Sequence, residues 1–344
     1  MTYRYDLAVF IGRFEPFHLG HEAVIREGLA QANKMVVIIG SSGGPRSYRN
    51  PFTYDERVAM IKGAFPEDAN RIVTMPLEDT LYNDEKWVKD VQEAVLKAFT
   101  KAYGAWHPLA KVALIGHSKD NSSFYLKLFP QWSSIAVQDY RDISATTIRE
   151  SYFSNMRFIE AEMLPASTVE FLREFKSSSD YQNIVDEYTF VNRYRDSWKV
   201  APFPPTFVTV DAVVVQSGHV LLVQRGARPG RGQWALPGGF LNQEEKIVDA
   251  VIRELREETK IKVPAPVLRG NIVANRVFDD PHRSSRGRTI THAYLIHLPP
   301  DVELPRVKGS DDAQKARWFP LAEVTRSIMF EDHFDMIQTM TDMI

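Results

Sequence analysis

Cysteine is absent from the 344 residues. That excludes disulfides, thiolate catalysis, zinc fingers and cysteine-held iron–sulfur clusters. Long apolar runs are missing too. The longest, Met35–Ile39 and Ala212–Val215, are strand-sized, far short of the roughly 18 apolar residues of a membrane helix. The opening Met1-Thr2-Tyr3-Arg4-Tyr5-Asp6 has no apolar signal-peptide core. No basic excess exists: 42 Lys+Arg against 44 Asp+Glu leave a formal charge of −2. Proteins that live on the phosphates of a long nucleic acid usually carry such an excess. Repeats and low-complexity tracts are also lacking. These absences predict a cytoplasmic protein with neither a membrane nor a nucleic acid as partner, and leave a homo-oligomer open.

What is present is ordinary for a globular protein: 44% hydrophobic and 25% charged residues. At about 150 residues per domain the length predicts about two domains. Up to residue 185 strand and helix patterns alternate. Strands are expected at Leu7–Ile11, Met35–Ile39, Arg71–Met75 and Val112–Ile115. Helices are expected at Leu19–Asn33, Asp55–Phe65 and Glu85–Phe99. Such alternation implies a parallel sheet covered by helices on both faces. Ser167 and Glu170 have capping-box spacing at a further helix start. A change of texture around Pro202, Pro204 and Pro205 places a linker at 186–205. From 206 to 344 strands dominate. Phe207–Val215 and His219–Gln224 read as a hairpin around Ser217-Gly218, and one strong helix is expected from Gln243 to Thr259.

Strand Leu7–Ile11 runs into Gly12-Arg13-Phe14-Glu15-Pro16-Phe17-His18-Leu19-Gly20-His21. In an α/β sheet ligands gather at the carboxyl ends of strands. A helix starting near His18 would put His18 and His21 on one face, at an N-terminus suited to phosphate. This segment resembles the nucleotidylyltransferase family, with its His-x-Gly-His motif on a Rossmann-like domain. A second family motif stands as Ile143-Ser144-Ala145-Thr146-Thr147-Ile148-Arg149. Three further segments are similar to the archaeal-like nicotinamide mononucleotide (NMN) adenylyltransferases: Gly116–Leu126, Ser41–Arg57 and Tyr82–Trp87.

The resemblance implies adenylyl transfer from ATP to NMN, with Mg²⁺ (or Mn²⁺) carried by the nucleotide. It implies that His18, His21 and Arg149 are catalytic. It assigns ATP or NMN binding to Gly12, Arg13, Phe14, Lys119, Asp120, Ser144, Thr146 and Thr147. Trp87 would stack on the nicotinamide ring and Asn83 would reach its carboxamide. A cationic pyridinium against an indole is physically sensible.

Farther on, Gly239-Phe240-Leu241-Asn242-Gln243-Glu244-Glu245 is followed after seven residues by Arg253-Glu254-Leu255-Arg256-Glu257-Glu258. Glu254, Glu257 and Glu258 share one helical face, where like charges repel unless a cation neutralises them. An all-oxygen set suits Mg²⁺ or Mn²⁺. Val248, Ile252 and Leu255 supply the apolar stripe. The run resembles the Nudix box, with Lys260 in place of its last glycine. The implied fold is an α+β Nudix domain, an α/β/α sandwich. The implied activity is metal-assisted attack of water on a nucleoside diphosphate. Its metal ligands would be Gly239, Glu254, Glu257 and Glu258, with Arg253 and Glu245 as a buttress.

Phe278–His292 resembles the ADP-ribose pyrophosphatase branch, and implies that Arg283, Arg286 and Arg288 hold ADP-ribose. The other reading of that loop is a solvated one paired with Asp279 and Asp280. Asp311 and Asp312 are a further candidate acid. Other acceptors for the first domain, other nucleotide sugars for the second, and a non-catalytic sensor role for the Nudix half stay open.

Overall fold

The computed structural model describes residues 3–116, 128–137, 143–154, 160–301, 303–309 and 313–344. The chain divides into two compact units, Met1–Tyr188 and Thr189–Ile344.

The first unit contains β1 (Tyr5–Gly12), α1 (Leu19–Gln31), β2 (Ala32–Ile39), α2 (Tyr54–Gly63), β3 (Ile72–Pro76), α3 (Asp84–Tyr103), β4 (Val112–Gly116), β5 (Ser133–Ala136), α4 (Ala145–Phe153) and α5 (Ala166–Phe175). The strands form one sheet in the order β3-β2-β1-β4-β5, and every pairing is parallel. β1 reads as an unbroken apolar run because both its faces are covered. Ala8 and Phe10 join the core under α1, whereas Leu7 and Val9 join the core under α3. The order reverses between β1 and β4, so the ligand crevice of this architecture opens at the carboxyl end of β1.

Ser167 does not cap. Pro165 holds the N-cap position of α5 without a side-chain bond, and Ser167 Oγ donates to Met60 O at 2.9 Å. A tertiary carbonyl has won the hydroxyl that local spacing assigned to a cap.

The stretch expected as a linker is largely helical: α6 covers Ser179–Ser197. Ser178 Oγ accepts from Tyr181 N at 3.1 Å at its start. Tyr181, Ile184, Val185 and Tyr188 then repeat at helical spacing into the core of the first unit. The division between units falls inside this helix.

The second unit contains β6 (Phe207–Gln216), β7 (His219–Arg225), β8 (Trp234–Ala235), β9 (Gly238–Phe240), α7 (Ile247–Thr259), α8 (Ala265–Gly270), β10 (Ile272–Phe278), β11 (Thr289–His297), β12 (Ala313–Pro320) and α9 (His333–Thr341). The mixed sheet runs β10-β11-β6-β7-β12, with β9 on β6 and β8 on β7. The expected hairpin turns at Ser217 and Gly218, both with positive φ, but pairs only at Val215–Val220 and Gln216–His219. Beyond that the strands splay, and β9 takes the edge of β6 at Thr209–Asp211. This splay sets Gly238 and Gly239 inside the sheet. Helix α7 begins four residues later than expected, because Lys246 is extended at its N-cap. Its buried stripe is Ala250, Val251, Ile252 and Leu255, so Val251 replaces Val248.

Two candidate active sites

His18 caps α1. Its Nδ1 accepts from His21 N at 3.4 Å, and His21 Nδ1 accepts from His18 N at 3.3 Å. The two rings stack with centroids 3.6 Å apart, and Phe17 stacks on the far side of His21 at 5.8 Å. With Nδ1 used as an acceptor in each, the neutral rings carry their protons at Nε2. Both therefore present an N–H donor at a helix N-terminus. Gly12 permits the tight turn, since a Cβ there would lie 2.9 Å from the Phe14 ring. Phe14 itself is a core residue, 1% exposed, edge-on to His21 at 4.9 Å. The turn folds the ring of this expected binding residue into the core.

The second motif reaches the first across 134 positions. Arg149 Nη1 donates to Glu15 O at 2.6 Å and its Nη2 to Thr146 Oγ1 at 3.2 Å. Arg149 is 4% exposed, and its Nε is buried with no hydrogen-bond partner among the described residues. Burial and the nearby charges of Arg13 and Arg49 lower its pKa. Cations crowded in this way fit a polyanionic ligand. Arg13 is exposed and donates to Asn50 Oδ1 at 3.4 Å. Ser144 occupies the N-cap of α4 without a capping bond, and Thr146 and Thr147 are exposed beside it. Asn83 caps α3, its Oδ1 accepting from Lys86 N at 3.0 Å. Trp87, half-buried, tilts against Phe129 at 6.1 Å. Both follow β3, which lies two strands, about 10 Å, from β1. Lys119 and Asp120 lie outside the described residues.

Glu15 and Arg57 carry a structural role that motif reading missed. Arg57 is 1% exposed and donates to Arg13 O at 2.8 Å and Gly40 O at 2.7 Å, binding together the ends of β1 and β2. It pairs with Glu15 Oε1 at 3.2 Å, and Glu15 Oε2 accepts from Phe52 N at 3.1 Å. Burial pushes the Glu15 carboxyl up to about 8, outweighing the neighbouring arginines. Arg57 ends the Ser41–Arg57 segment, but nothing local reveals that it spans two strand ends.

In the second unit Arg253 is a hub. It donates to Glu245 at 2.9 and 2.5 Å, Glu254 at 2.7 Å, Glu257 at 3.0 Å and the Phe240 carbonyl at 3.3 Å. The expected Arg253–Glu245 buttress is thus present. Its hydrogen bonds hold the Glu245 carboxyl down at about 2. Glu258 Oε2 accepts from Gly238 N at 3.0 Å, and burial pushes Glu258 up to about 8, with Glu254 and Asp211 adding repulsion. Among the described residues no three acids or imidazoles converge as a metal cluster. Glu254 and Glu257 turn to Arg253 instead. The donor set still suits a hard divalent cation. The Glu254 carboxylate lies on Gly239, where a Cβ would sit 2.6 Å from its oxygen, and burial raises the pKa of both Glu254 and Glu258.

Two of the three arginines expected to hold ADP-ribose are engaged within the second unit. Arg283 is 6% exposed and forms a two-pronged pair with Asp332, both bonds 2.9 Å. That pairing draws in the Phe330–Phe334 segment, which carries Asp332. Glu331 Oε1 accepts from Ser285 N at 2.9 Å, and His333 Nδ1 accepts from Leu236 N at 3.0 Å. The tail thus pins both the loop and the approach to Gly238. Arg288 donates to the Asp279 backbone carbonyl. Arg286 alone faces an exposed ring, with its Cζ 5.1 Å from the Phe240 centroid. Asp211, buried and raised by that burial to about 6, accepts from Thr291 Oγ1 at 2.5 Å. Asp311 and Asp312 lie outside the described residues.

Two family models match: Cytidylyltransferase-like over residues 9–151 and NUDIX domain over residues 205–340. A nicotinamide/nicotinic acid mononucleotide adenylyltransferase of Acinetobacter baylyi is 38% identical over 188 residues, 54% of this chain and 95% of that protein. An ADP-ribose pyrophosphatase of Methanocaldococcus jannaschii is 33% identical over 127 residues, 37% of this chain and 69% of that protein. A crystal structure from Francisella tularensis aligns with TM-score 0.91 and 36% identity, covering 98% of this chain and 99% of that one. It is described as a bifunctional NMN adenylyltransferase/ADP ribose pyrophosphatase complexed with AMP and a manganese ion.

Proposed function

The chain belongs to the family of bifunctional NMN adenylyltransferase/ADP-ribose pyrophosphatases, and from that we propose how its two sites divide the work. The first unit transfers AMP from ATP to NMN, giving NAD and pyrophosphate. The second hydrolyses ADP-ribose to AMP and ribose 5-phosphate. The observation that carries this reading is the end-to-end match at TM-score 0.91.

In the first unit the NMN phosphate is already anionic, so no protein nucleophile is required. It attacks the α-phosphorus of ATP, and the bond to pyrophosphate breaks. The chain supplies position and charge. The stacked His18 and His21 direct Nε2 donors at the phosphates. Arg149, anchored on the Glu15 carbonyl, and exposed Arg13 neutralise the charge that develops on the leaving group. Ser144, Thr146 and Thr147 offer hydroxyls from the start of α4. Trp87 and Asn83 receive the nicotinamide end. Mg²⁺ enters with the nucleotide.

In the second unit Glu254, Glu257 and Glu258, with the Gly239 carbonyl, would hold the divalent cation, Mg²⁺ or Mn²⁺. When bound it polarises the diphosphate and lowers the pKa of water. Arg253 orients two of the three carboxylates and ties them to Glu245. The Gly238 amide aims the third.

The test is to incubate the purified chain with ATP, NMN and Mg²⁺, and separately with ADP-ribose and Mg²⁺, resolving products by chromatography. NAD plus pyrophosphate, and AMP plus ribose 5-phosphate, are expected. Failure of either pair removes that half of the reading.

A further inference from the structure

Between β8 and β9 the chain leaves the edge of β7 and crosses to the edge of β6. Leu236 and Pro237 make the crossing. Proline has no N–H, so Leu236 carries the one backbone donor between the two strands. Leu236 is 2% exposed, and a buried donor left without a partner is costly. Its partner comes from 97 positions away: His333 Nδ1 accepts from Leu236 N at 3.0 Å. Directly after the crossing, Pro237 O accepts from Ala212 N at 2.8 Å, and Gly238 N donates to Glu258 Oε2 at 3.0 Å. The turn has little slack. A Cβ on Gly238 would lie 2.1 Å from Val210 O, and one on Gly239 would lie 2.6 Å from Glu254 Oε1.

His333 is itself firmly held. It opens α9, and its N–H donates to Phe330 O at 3.1 Å. Phe330 N donates in turn to Trp234 O at 2.8 Å, at the start of β8. The adjoining Glu331 and Asp332 accept from Ser285 N and from Arg283. The His333 ring is buried and tilts against Phe330 at 5.6 Å. Burial, followed by the charges of Arg283, Arg225 and Arg286, lowers its pKa well below the ordinary value. The neutral ring keeps a lone pair at Nδ1 and its proton at Nε2. A ring needed only for bulk would be better served by phenylalanine, which has no polar atom to bury. The acceptor turned toward Leu236 accounts for a histidine here.

We infer that His333 is a positioning residue of the hydrolase site: by accepting the Leu236 N–H it fixes the turn that carries the Gly238 amide to Glu258 and sets Gly239 beside Glu254. This rests on the reading of the second unit as a metal-dependent hydrolase. His333 acts through backbone, not on the substrate. It therefore governs cation affinity and kcat rather than the KM for ADP-ribose.

The experiment compares the full chain with H333N, H333F and H333A. Mn²⁺ alone is titrated into each by calorimetry, and ADP-ribose hydrolysis is then measured at saturating Mn²⁺. H333N sets an amide oxygen close to the place of Nδ1, whereas H333F keeps the bulk and loses the acceptor. H333N is expected to stay within about threefold of the wild type in both readouts. H333F and H333A should lose roughly 10–100-fold in Mn²⁺ affinity and in kcat, the range for groups that orient metal ligands. Their KM for ADP-ribose should move less than about twofold, and NAD formation by the first unit should not change. H333F equal to H333N or better in both readouts would make His333 a packing residue and overturn the assignment. Unchanged Mn²⁺ affinity in H333A, or a wild type that takes up no Mn²⁺, would overturn it too. If H333F loses the second unit's thermal transition, H333N against H333A decides: Mn²⁺ affinity kept by H333N alone supports the role, and equal affinities remove it. A wild type that binds Mn²⁺ but releases no AMP would remove the ADP-ribose reading separately, and the titration would still decide the positioning.

Discussion

Lys260 stands where the Nudix box has glycine, and the structure shows what that replacement costs. The residue sits at the C-cap of α7 with φ 46° and ψ 31°, its N–H bonded to Arg256 O at 3.0 Å. The left-handed exit is therefore made, but by a side chain that strains to make it. An L-residue in that conformation loses about 1–2 kcal/mol. Glycine removes the strain but gives back about 0.5–1 kcal/mol through its freer unfolded chain. Replacing lysine also forfeits a helix C-terminal charge, worth about 0.3–1 kcal/mol. Charge loss is common to K260G and K260A, so comparing those two isolates the backbone. K260G should exceed K260A by about 0.5–1 kcal/mol. In a unit of 150–250 residues each 1 kcal/mol moves the midpoint about 2–4 °C, so the expected gap is roughly 1–4 °C. Calorimetry of the full chain reads it as a shift of the second unit's transition. K260A matching or exceeding K260G would refute the strain argument.

Two other expectations concern the first unit. Trp87→Ala should raise the KM for NMN more than that for ATP in steady-state kinetics, and an equal rise in both would count against ring stacking. Glu15 predicts a pH effect. Its carboxyl is raised to about 8 from the ordinary 4.5, so between those values the folded chain keeps a proton that the unfolded chain has released. The stability it contributes is full below about pH 4.5 and is lost as pH rises through 8. Glu15→Gln lacks this slope. The wild-type advantage over the variant in denaturant unfolding should shrink from pH 5 to pH 8, and a constant or growing advantage would show that Glu15 is ionised in the fold.

The readable parts of this chain were those where chemistry is local. β1, β2 and β4 announce themselves as short apolar runs, and His18 and His21 sit three residues apart on one turn. Helical spacing puts Glu254, Glu257 and Glu258 on one face of α7, and only the resemblance to the Nudix box gives them a metal to hold. What escaped were pairings made across the fold. Ser167 had capping spacing, but Met60 O lies within reach only after α2 and α5 pack. The pairing of Arg283 with Asp332, 49 positions away, is invisible to any local pattern. The burial of the Phe14 ring, on a residue with φ 56°, has no local signal in the motif that contains it. The 186–205 stretch looked like a linker because prolines mark its end, yet Tyr181, Ile184, Val185 and Tyr188 carry α6 through its start. The Arg253 buttress was found because its partners share one box.

The central claim is that one chain holds two independent chemistries, and separating them tests it most directly. Purified wild type, His21→Ala and Glu258→Gln should each be assayed for NAD formed from ATP and NMN, and for AMP released from ADP-ribose with a divalent cation. The account predicts that His21→Ala loses NAD formation and keeps AMP release, and that Glu258→Gln does the reverse. Loss of both products in either variant while it remains folded, or retention of AMP release by Glu258→Gln, would contradict it.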